Sequence, residues 1–375
     1  MFSRMFDPAV WSALPFQFWS AVAFVFGSIV GSFLNVCIHR MPRGESIVSP
    51  PSHCPHCQYS IPWYLNIPLV TWLYLRGRCR NCGAPIAARY FLVELVTALL
   101  FLGSWLRFGH RSAALALVFC LFMAGLLVAT FIDFEHFIIP DEVTIGGMAA
   151  GFLCSFFVPG LHGSESVTDS LKQSLLGMAI GAGVIYLILR GFKLLLGRHR
   201  LKLPEGARII FSETELYFDG QSIPYEEVFY RRSDAIVLSA RRLELVDRCY
   251  KDVRVRLSPT LLQIGDEKID PEQVPHMEAE TAEVVLPREV MGLGDVKFMG
   301  GIGAFLGWKA VFFSLFLSSV IGAVVGGILV VTKRRAMSSR LPYGPYIAMA
   351  AVVWIFAGPQ LLAAYQHFII RLAGG

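Results

Sequence analysis

Four cysteines in two knuckles, Cys54-Pro-His-Cys57 and Cys79-Arg-Asn-Cys82, have a spacing that suits metal chemistry. Two residues between thiolates let both reach one tetrahedral ion, and a second knuckle closes the site. Four sulfurs leave no position for substrate, so Cys54, Cys57, Cys79 and Cys82 are expected to hold a structural zinc. The competing reading is a pair of disulfides or a redox dithiol. A redox CxxC normally stands singly, and stable disulfides are rare in a reducing cytoplasm. His53 and His56 read as exposed loop residues. Cys37, Cys120 and Cys154 lie in apolar runs and read as packing residues, and Cys249 stands alone in a polar region.

The second chemistry is acidic. Asp133 sits in Phe131-Ile-Asp133-Phe-Glu135-His136, followed by Ile139-Pro140-Asp141-Glu142, and Asp295 sits in Met291-Gly292-Leu-Gly294-Asp295-Val-Lys297. Both lie at the mouth of an apolar run. A carboxylate there is costly unless paired or hydrated, which makes it a functional candidate. Two facing aspartates share a proton, so one acts as general base on water while the other donates to a scissile carbonyl. Gly292 and Gly294 would let a peptide lie close to the backbone, and Asp141 would support the helix mouth. The residues alone leave a second reading open, in which the aspartates are interfacial charges and the glycines serve helix packing.

The elements that must position these residues are membrane helices. Only 16% of the 375 residues are charged, against about 25% in an ordinary soluble domain. Apolar runs at 18–39, 91–107, 113–132, 143–160, 173–196, 309–332 and 343–370 are mostly long enough to cross a hydrocarbon core of about 30 Å. The run Phe298–Trp308 reads as a tilted or half-length eighth span. The fold class expected is therefore an all-α polytopic membrane protein of about eight helices. The first run starts late and lacks a basic head, so it does not read as a cleaved signal. Arg40, Arg43, Arg76, Arg78, Arg80 and Arg89 place residues 41–90 in the cytoplasm, together with Arg190–Lys202 and the Lys333-Arg334-Arg335 cluster. Both termini then lie outside. The net charge of +5 mostly reflects these loops and gives no reason to expect nucleic-acid binding.

Five segments follow: a first span in 1–40, a zinc-binding loop in 41–90, spans with the first aspartate in 91–196, an inserted soluble domain in 197–288, and the second aspartate motif with the last spans in 289–375. The insert reads as β structure, with short alternating runs at Ala207–Ser212, Glu215–Phe218, Ala235–Ser239, Val253–Leu257 and Leu261–Ile264. Turns are expected at Asp219-Gly220 and Gly265-Asp266. Ala207–Val228 lies over Val253–Val274 with matching apolar positions, which reads as an internal repeat of two β units; chance similarity between two hairpins is the alternative. No catalytic pattern appears in it, so a docking or restraining role is expected.

Taken together, the motifs resemble the type IV prepilin peptidase family. Gly31-Ser-Phe-Leu-Asn35-Val-Cys-Ile-His-Arg40-Met-Pro42, both CxxC knuckles, Ile61-Pro-Trp63, Asn66-Ile-Pro68, Arg89-Tyr90 with Val93-Glu94, the two aspartate motifs, and Pro342-Tyr343-Gly344-Pro345-Tyr346 follow the family order. The resemblance implies a GxGD-type aspartic peptidase of the bacterial inner membrane with Asp133 and Asp295 catalytic. It also implies cleavage of the basic leader of prepilin or pseudopilin precursors on the cytoplasmic face, in type IV pilus or type II secretion systems. Many members also N-methylate the new N-terminus with S-adenosylmethionine. No glycine-rich turn for that donor is visible, and Gly77 is carried over only as part of the conventional region. The departure from the family is the 197–288 insert. Two other readings remain: a GxGD protease with other substrates, and a non-catalytic membrane scaffold, against which two intact aspartates argue.

Overall fold

The computed structural model describes residues 14–196, 198–204, 206–218, 221–229, 234–287, 292–332 and 341–373. The chain forms two compact units, one running to Ile185 and resuming at Leu293, the other from Tyr186 to Gly292. The second therefore begins inside a helix, earlier than the expected boundary at 197.

The first unit is helical. Its long elements are α1 (Phe16–Arg40), α3 (Ala88–Phe108), α4 (Ala113–His136), α5 (Asp141–Phe157), α6 (Val167–Leu196), α8 (Leu293–Val331) and α9 (Gly344–Ala373), with a short α2 (Val70–Tyr74) in the loop between α1 and α3. Six of these are long and apolar enough to cross a membrane; α5 is not among them. This count is lower than the eight expected, for two local reasons. Helix α5 has only 17 residues. The runs Phe298–Trp308 and 309–332 fall within one element, α8, interrupted at Gly307 (φ 76°, ψ 173°). The Lys333-Arg334-Arg335 cluster and the Asp219-Gly220 turn lie outside the described residues.

Small residues let these helices approach closely, as packing between apolar helices requires. A Cβ on Gly177 of α6 would lie 2.1 Å from the Gly303 carbonyl oxygen of α8, so only glycine fits that crossing. The buried Ser174 hydroxyl donates to the Ala304 carbonyl at 2.9 Å in the same contact. Helix α4 starts on the Ser112 hydroxyl, which accepts the Leu115 N–H at 3.2 Å. It ends where Phe137 turns left-handed (φ 56°). Pro140 then starts α5 with Asp141 and Glu142 in its first turn, where helix-terminal N–H groups favour negative charge. Asp133 and Asp141 thus flank a tight reversal.

The second unit carries a 10-stranded sheet, so the all-α description holds only for the membrane unit. Its strands are β1 (Arg198–Lys202), β2 (Arg208–Phe211), β3 (Glu215–Phe218), β4 (Gln221–Pro224), β5 (Ile236–Leu245), β6 (Cys249–Ser258), β7 (Leu261–Ile264), β8 (Glu267–Ile269), β9 (Met277–Glu280) and β10 (Glu283–Pro287), with a helical turn, α7 (Tyr225–Val228), after β4. The positions aligned in sequence hold matching registers. Phe211 faces Leu216 as Leu257 faces Leu262, and Leu216 faces Ile223 as Leu262 faces Ile269. Ile209 and Val255, at equivalent positions, are both fully buried in one apolar core. Beyond these, β2 pairs with the distant β9, and β6 closes a hairpin with the preceding strand β5.

Candidate active site and metal centre

Asp133 ends the buried face of α4 and is only 5% exposed. One of its carboxylate oxygens, Oδ2, accepts the backbone N–H of Gly344 at 2.8 Å, where α9 begins. A Cβ at position 344 would stand 2.8 Å from that oxygen and 3.1 Å from Ile139 Cδ1. Glycine is therefore required for the carboxylate to reach this N–H. On its other side Ile139 packs against Gly294, where a Cβ would sit 3.4 Å from Ile139 Cβ. Asp295 follows immediately, half-buried in the first turn of α8. Lys297, two residues further on, donates to Asp141 Oδ1 at 2.6 Å. Both aspartate motifs thus meet in one corner, built by the α4–α5 reversal and the starts of α8 and α9. At its rim the Arg89 guanidinium pairs with Glu135. Gly292 is exposed, and Met291 falls outside the described residues.

Two structural roles were not visible in the sequence. The Gly344 N–H is one, although a glycine between Tyr343 and Pro345 was a signal of backbone crowding. The ion pair of Lys297 with Asp141 is the other, since the two lie far apart in the chain.

The four knuckle cysteines converge as expected, with all four Sγ atoms within 4.8 Å of one another. Cys54 and Cys82 are separated by 3.8 Å and Cys57 and Cys79 by 4.0 Å. A tetrahedral ion with zinc–sulfur bonds of about 2.3 Å requires sulfurs roughly 3.8 Å apart, so the donor set fits zinc. The knuckles share one fold. Cys54 N–H donates to Tyr59 and Cys79 N–H to Ala84, while Gln58 and Gly83 turn left-handed to donate back to Cys54 and Cys79. The Asn81 amide and a backbone hydrogen bond at Tyr59 pull the Cys57 thiol down to about 6, which favours the thiolate a metal needs.

Behind the knuckles lies a cavity of about 540 Å³. The end of α1 contributes Asn35, the start of α3 contributes Tyr90 and Glu94, and the loop contributes Ile67 and Trp72. Gly77, left-handed at φ 65°, is not part of this lining; it lets the Trp72 ring pack within 3.0 Å of where a Cβ would stand. Glu94 is 8% exposed and accepts the Leu69 N–H at 2.7 Å. Asn35 is 2% exposed, and its amide donates to the Tyr90 and Gly31 carbonyls. Among the described residues, its side-chain oxygen has no hydrogen-bond partner.

Residues 25–108 match the model of the bacterial peptidase A24 N-terminal domain, and residues 120–202 with 278–327 match that of the type IV leader peptidase family. Between those last two stretches lies most of the β unit. A prepilin leader peptidase/N-methyltransferase of Myxococcus xanthus (strain DK1622) is 45% identical over 174 residues, covering 45% of this chain and 49% of that protein. One from Aeromonas hydrophila is 29% identical over 377 residues, covering 94% and 95% respectively. One from Dichelobacter nodosus is 36% identical over 202 residues, covering 46% of this chain and 67% of that protein. No solved structure matches the chain.

Proposed function

The chain belongs to the type IV leader peptidase family, and we propose that it is a prepilin peptidase of the bacterial inner membrane that hydrolyses leader peptides with Asp133 and Asp295 and then N-methylates the new N-terminus. The observation that carries the peptidase reading is the corner in which Ile139 packs against both Gly344, which holds Asp133, and Gly294, which precedes Asp295.

Two carboxylates in a partly dehydrated site do not both ionise easily, so they hold one proton between them. The ionised aspartate takes a proton from water as its oxygen attacks the scissile carbonyl carbon. The protonated aspartate gives its proton to the carbonyl oxygen. The tetrahedral intermediate then collapses as one of its hydroxyls returns a proton to the second aspartate, and the proton taken from water passes to the leaving amine. The Gly344 N–H stabilises negative charge on Asp133 Oδ2 and fixes the carboxylate plane. Lys297 and Asp141 keep α8 in register with α5 beneath the site.

Zinc at the four thiolates would tie the loop together and leaves no open position for substrate. S-adenosylmethionine, when bound, supplies an electrophilic methyl group for the new amine. The arginine-rich loops favour a corner on the cytoplasmic side, where basic leaders of prepilin-like precursors remain.

Co-expression with a model prepilin, followed by mass determination of the mature N-terminus, tests the reading directly. A cut after the leader that disappears in Asp133→Asn and in Asp295→Asn is expected. Unchanged cutting in either variant would overturn the dyad.

A further inference from the structure

The loop that carries the zinc knuckles has an outer face that neither the metal centre nor the Asp133 corner uses. Trp63 is 82% exposed and Tyr74 76%, and Tyr64, Val70 and Leu73 in the same stretch of chain are exposed as well. Large apolar and aromatic side chains gathered at a surface mark a place where something other than water is met.

The contacts of α2 fix the level at which this face stands. Trp72 turns inward, its ring centroid 5.2 Å from that of Phe91. The Leu69 N–H, just ahead of α2, donates to Glu94 Oε2 at 2.7 Å. Phe91 and Glu94 belong to the first two turns of α3, within about 9 Å of its start along the axis. With 21 residues α3 is about 31 Å long, close to the hydrocarbon thickness of about 30 Å. Helix α2 is therefore level with the end of a membrane span, where hydrocarbon gives way to headgroups. Leu92, between the two contact residues, is exposed on α3, so the apolar surface of that span reaches the same level.

The residue types suit that layer. Trp and Tyr collect at membrane interfaces because each joins an apolar ring to a polar tip. Arg76, Arg78 and Arg80 follow α2 directly and are exposed, and guanidinium groups pair well with phosphate. A helix of five residues cannot cross a bilayer, but it can lie in the interface with its apolar side down.

We infer that the 63–74 segment is an interfacial anchor. It lays Trp63, Tyr74 and the exposed side of α2 into the headgroup layer of the bilayer that α1 and α3 cross, with the arginines after α2 on lipid phosphates. The zinc-bearing loop is then held by lipid at its middle as well as by helices at its two ends.

The test uses the full chain in nanodiscs of phosphatidylcholine and phosphatidylglycerol, with no precursor peptide present. The difference in emission between wild type and Trp63→Phe isolates Trp63 from the other tryptophans. Lipid brominated high on its acyl chains is expected to at least about halve that signal, and aqueous iodide to quench it little. Val70→Glu/Leu73→Glu, compared with the same variant carrying Trp63→Phe, is expected to raise iodide quenching of Trp63 about threefold. Zinc content and melting temperature serve as folding controls, and if the double variant does not fold, the wild-type difference decides alone. A Trp63 signal open to iodide and untouched by brominated lipid would overturn the anchor. So would a folded double variant in which Trp63 stays as shielded as before. Shielding that arises only on adding a precursor peptide would assign this face to substrate, and would overturn the anchor too.

Discussion

Lys297 Nζ lies 2.6 Å from Asp141 Oδ1, joining the helix that carries Asp295 to the helix that follows Asp133. The pair is partly exposed, with side-chain exposures of 35% and 60%, so it contributes no more than about 1 kcal/mol to stability. Its value is in register. Sliding α8 by one turn would carry Asp295 out of the corner.

Breaking this pair should therefore affect turnover more than folding. Lys297→Met is expected to lower kcat several-fold with a melting temperature close to wild type, and Asp141→Asn to behave alike. The charge-reversed double variant Lys297→Asp/Asp141→Lys should recover part of the loss. Additive losses in the double variant would show that the two residues act separately.

Asp133→Asn and Asp295→Asn should each reduce leader cleavage by at least about 100-fold, since each removes an acid–base group and little volume. Cleavage by detergent-purified protein of a synthetic prepilin, followed by mass spectrometry, measures this. Asp141→Asn should be much milder.

The glycines of the corner should differ in their tolerance. Gly344→Ala places a Cβ 2.8 Å from the Asp133 oxygen, so the carboxylate must move and activity should fall at least about tenfold. Gly294→Ala meets Ile139 at 3.4 Å, an ordinary contact, so its fold should be kept. Any loss in Gly294→Ala should then appear as a raised KM, from a peptide held off the backbone. Thermal melting and steady-state kinetics on both variants decide between these outcomes.

One zinc per chain is expected by elemental analysis, and the double variant Cys57→Ser/Cys82→Ser should lose it. A metal must displace protons from its thiols. Within the cluster the Cys57 thiol is pulled down to about 6 while the Cys82 thiol is pushed up to about 11, so protons compete with the metal across the whole neutral range. Zinc uptake by metal-free protein should therefore weaken steadily as pH falls from 8 to 5. Uptake that is flat from pH 5 to 8 would contradict the assigned ligand set.

The β unit should fold when excised, because its apolar core is its own. A fragment from Leu203 to Leu286 should be soluble, monomeric and β-rich by circular dichroism. It lacks β1, however, which pairs with β10 along Arg198–Lys202. The fragment from Arg198 to Pro287 should therefore melt at a higher temperature. Replacing the unit by a flexible linker in the full protein should preserve cleavage of a generic prepilin. A folded but wholly inactive shortened enzyme would mean that the unit helps build the active site.

The candidate residues were legible in the sequence because their signals are local. CxxC spacing and acidic residues at apolar boundaries need no long-range information, and the cysteines do converge. The helix runs were legible from hydropathy, but the break at Gly307 was not, because glycine within an apolar run reads equally well as packing. In the β unit the five alternating runs correspond to β2, β3, β5, β6 and β7. The others were missed. Met277–Glu280 and Gln221–Pro224 have little β-branched content and owe their conformation to the strands they pair with. The same holds for the Asn35–Glu94 cavity, whose walls come from three segments.

The pairing of β2 with β9 and of β6 with β5 has a further consequence. The two contacts differ in range: β5 and β6 close a local hairpin between Leu245 and Cys249, whereas β2 must wait for β9, which follows β8 in the chain. A chain ending at Phe229 would leave β2 with an open edge in search of a partner. The first strands of the unit therefore stay unprotected until nearly the whole unit has been synthesised, and any truncation before Met277 exposes the same edge.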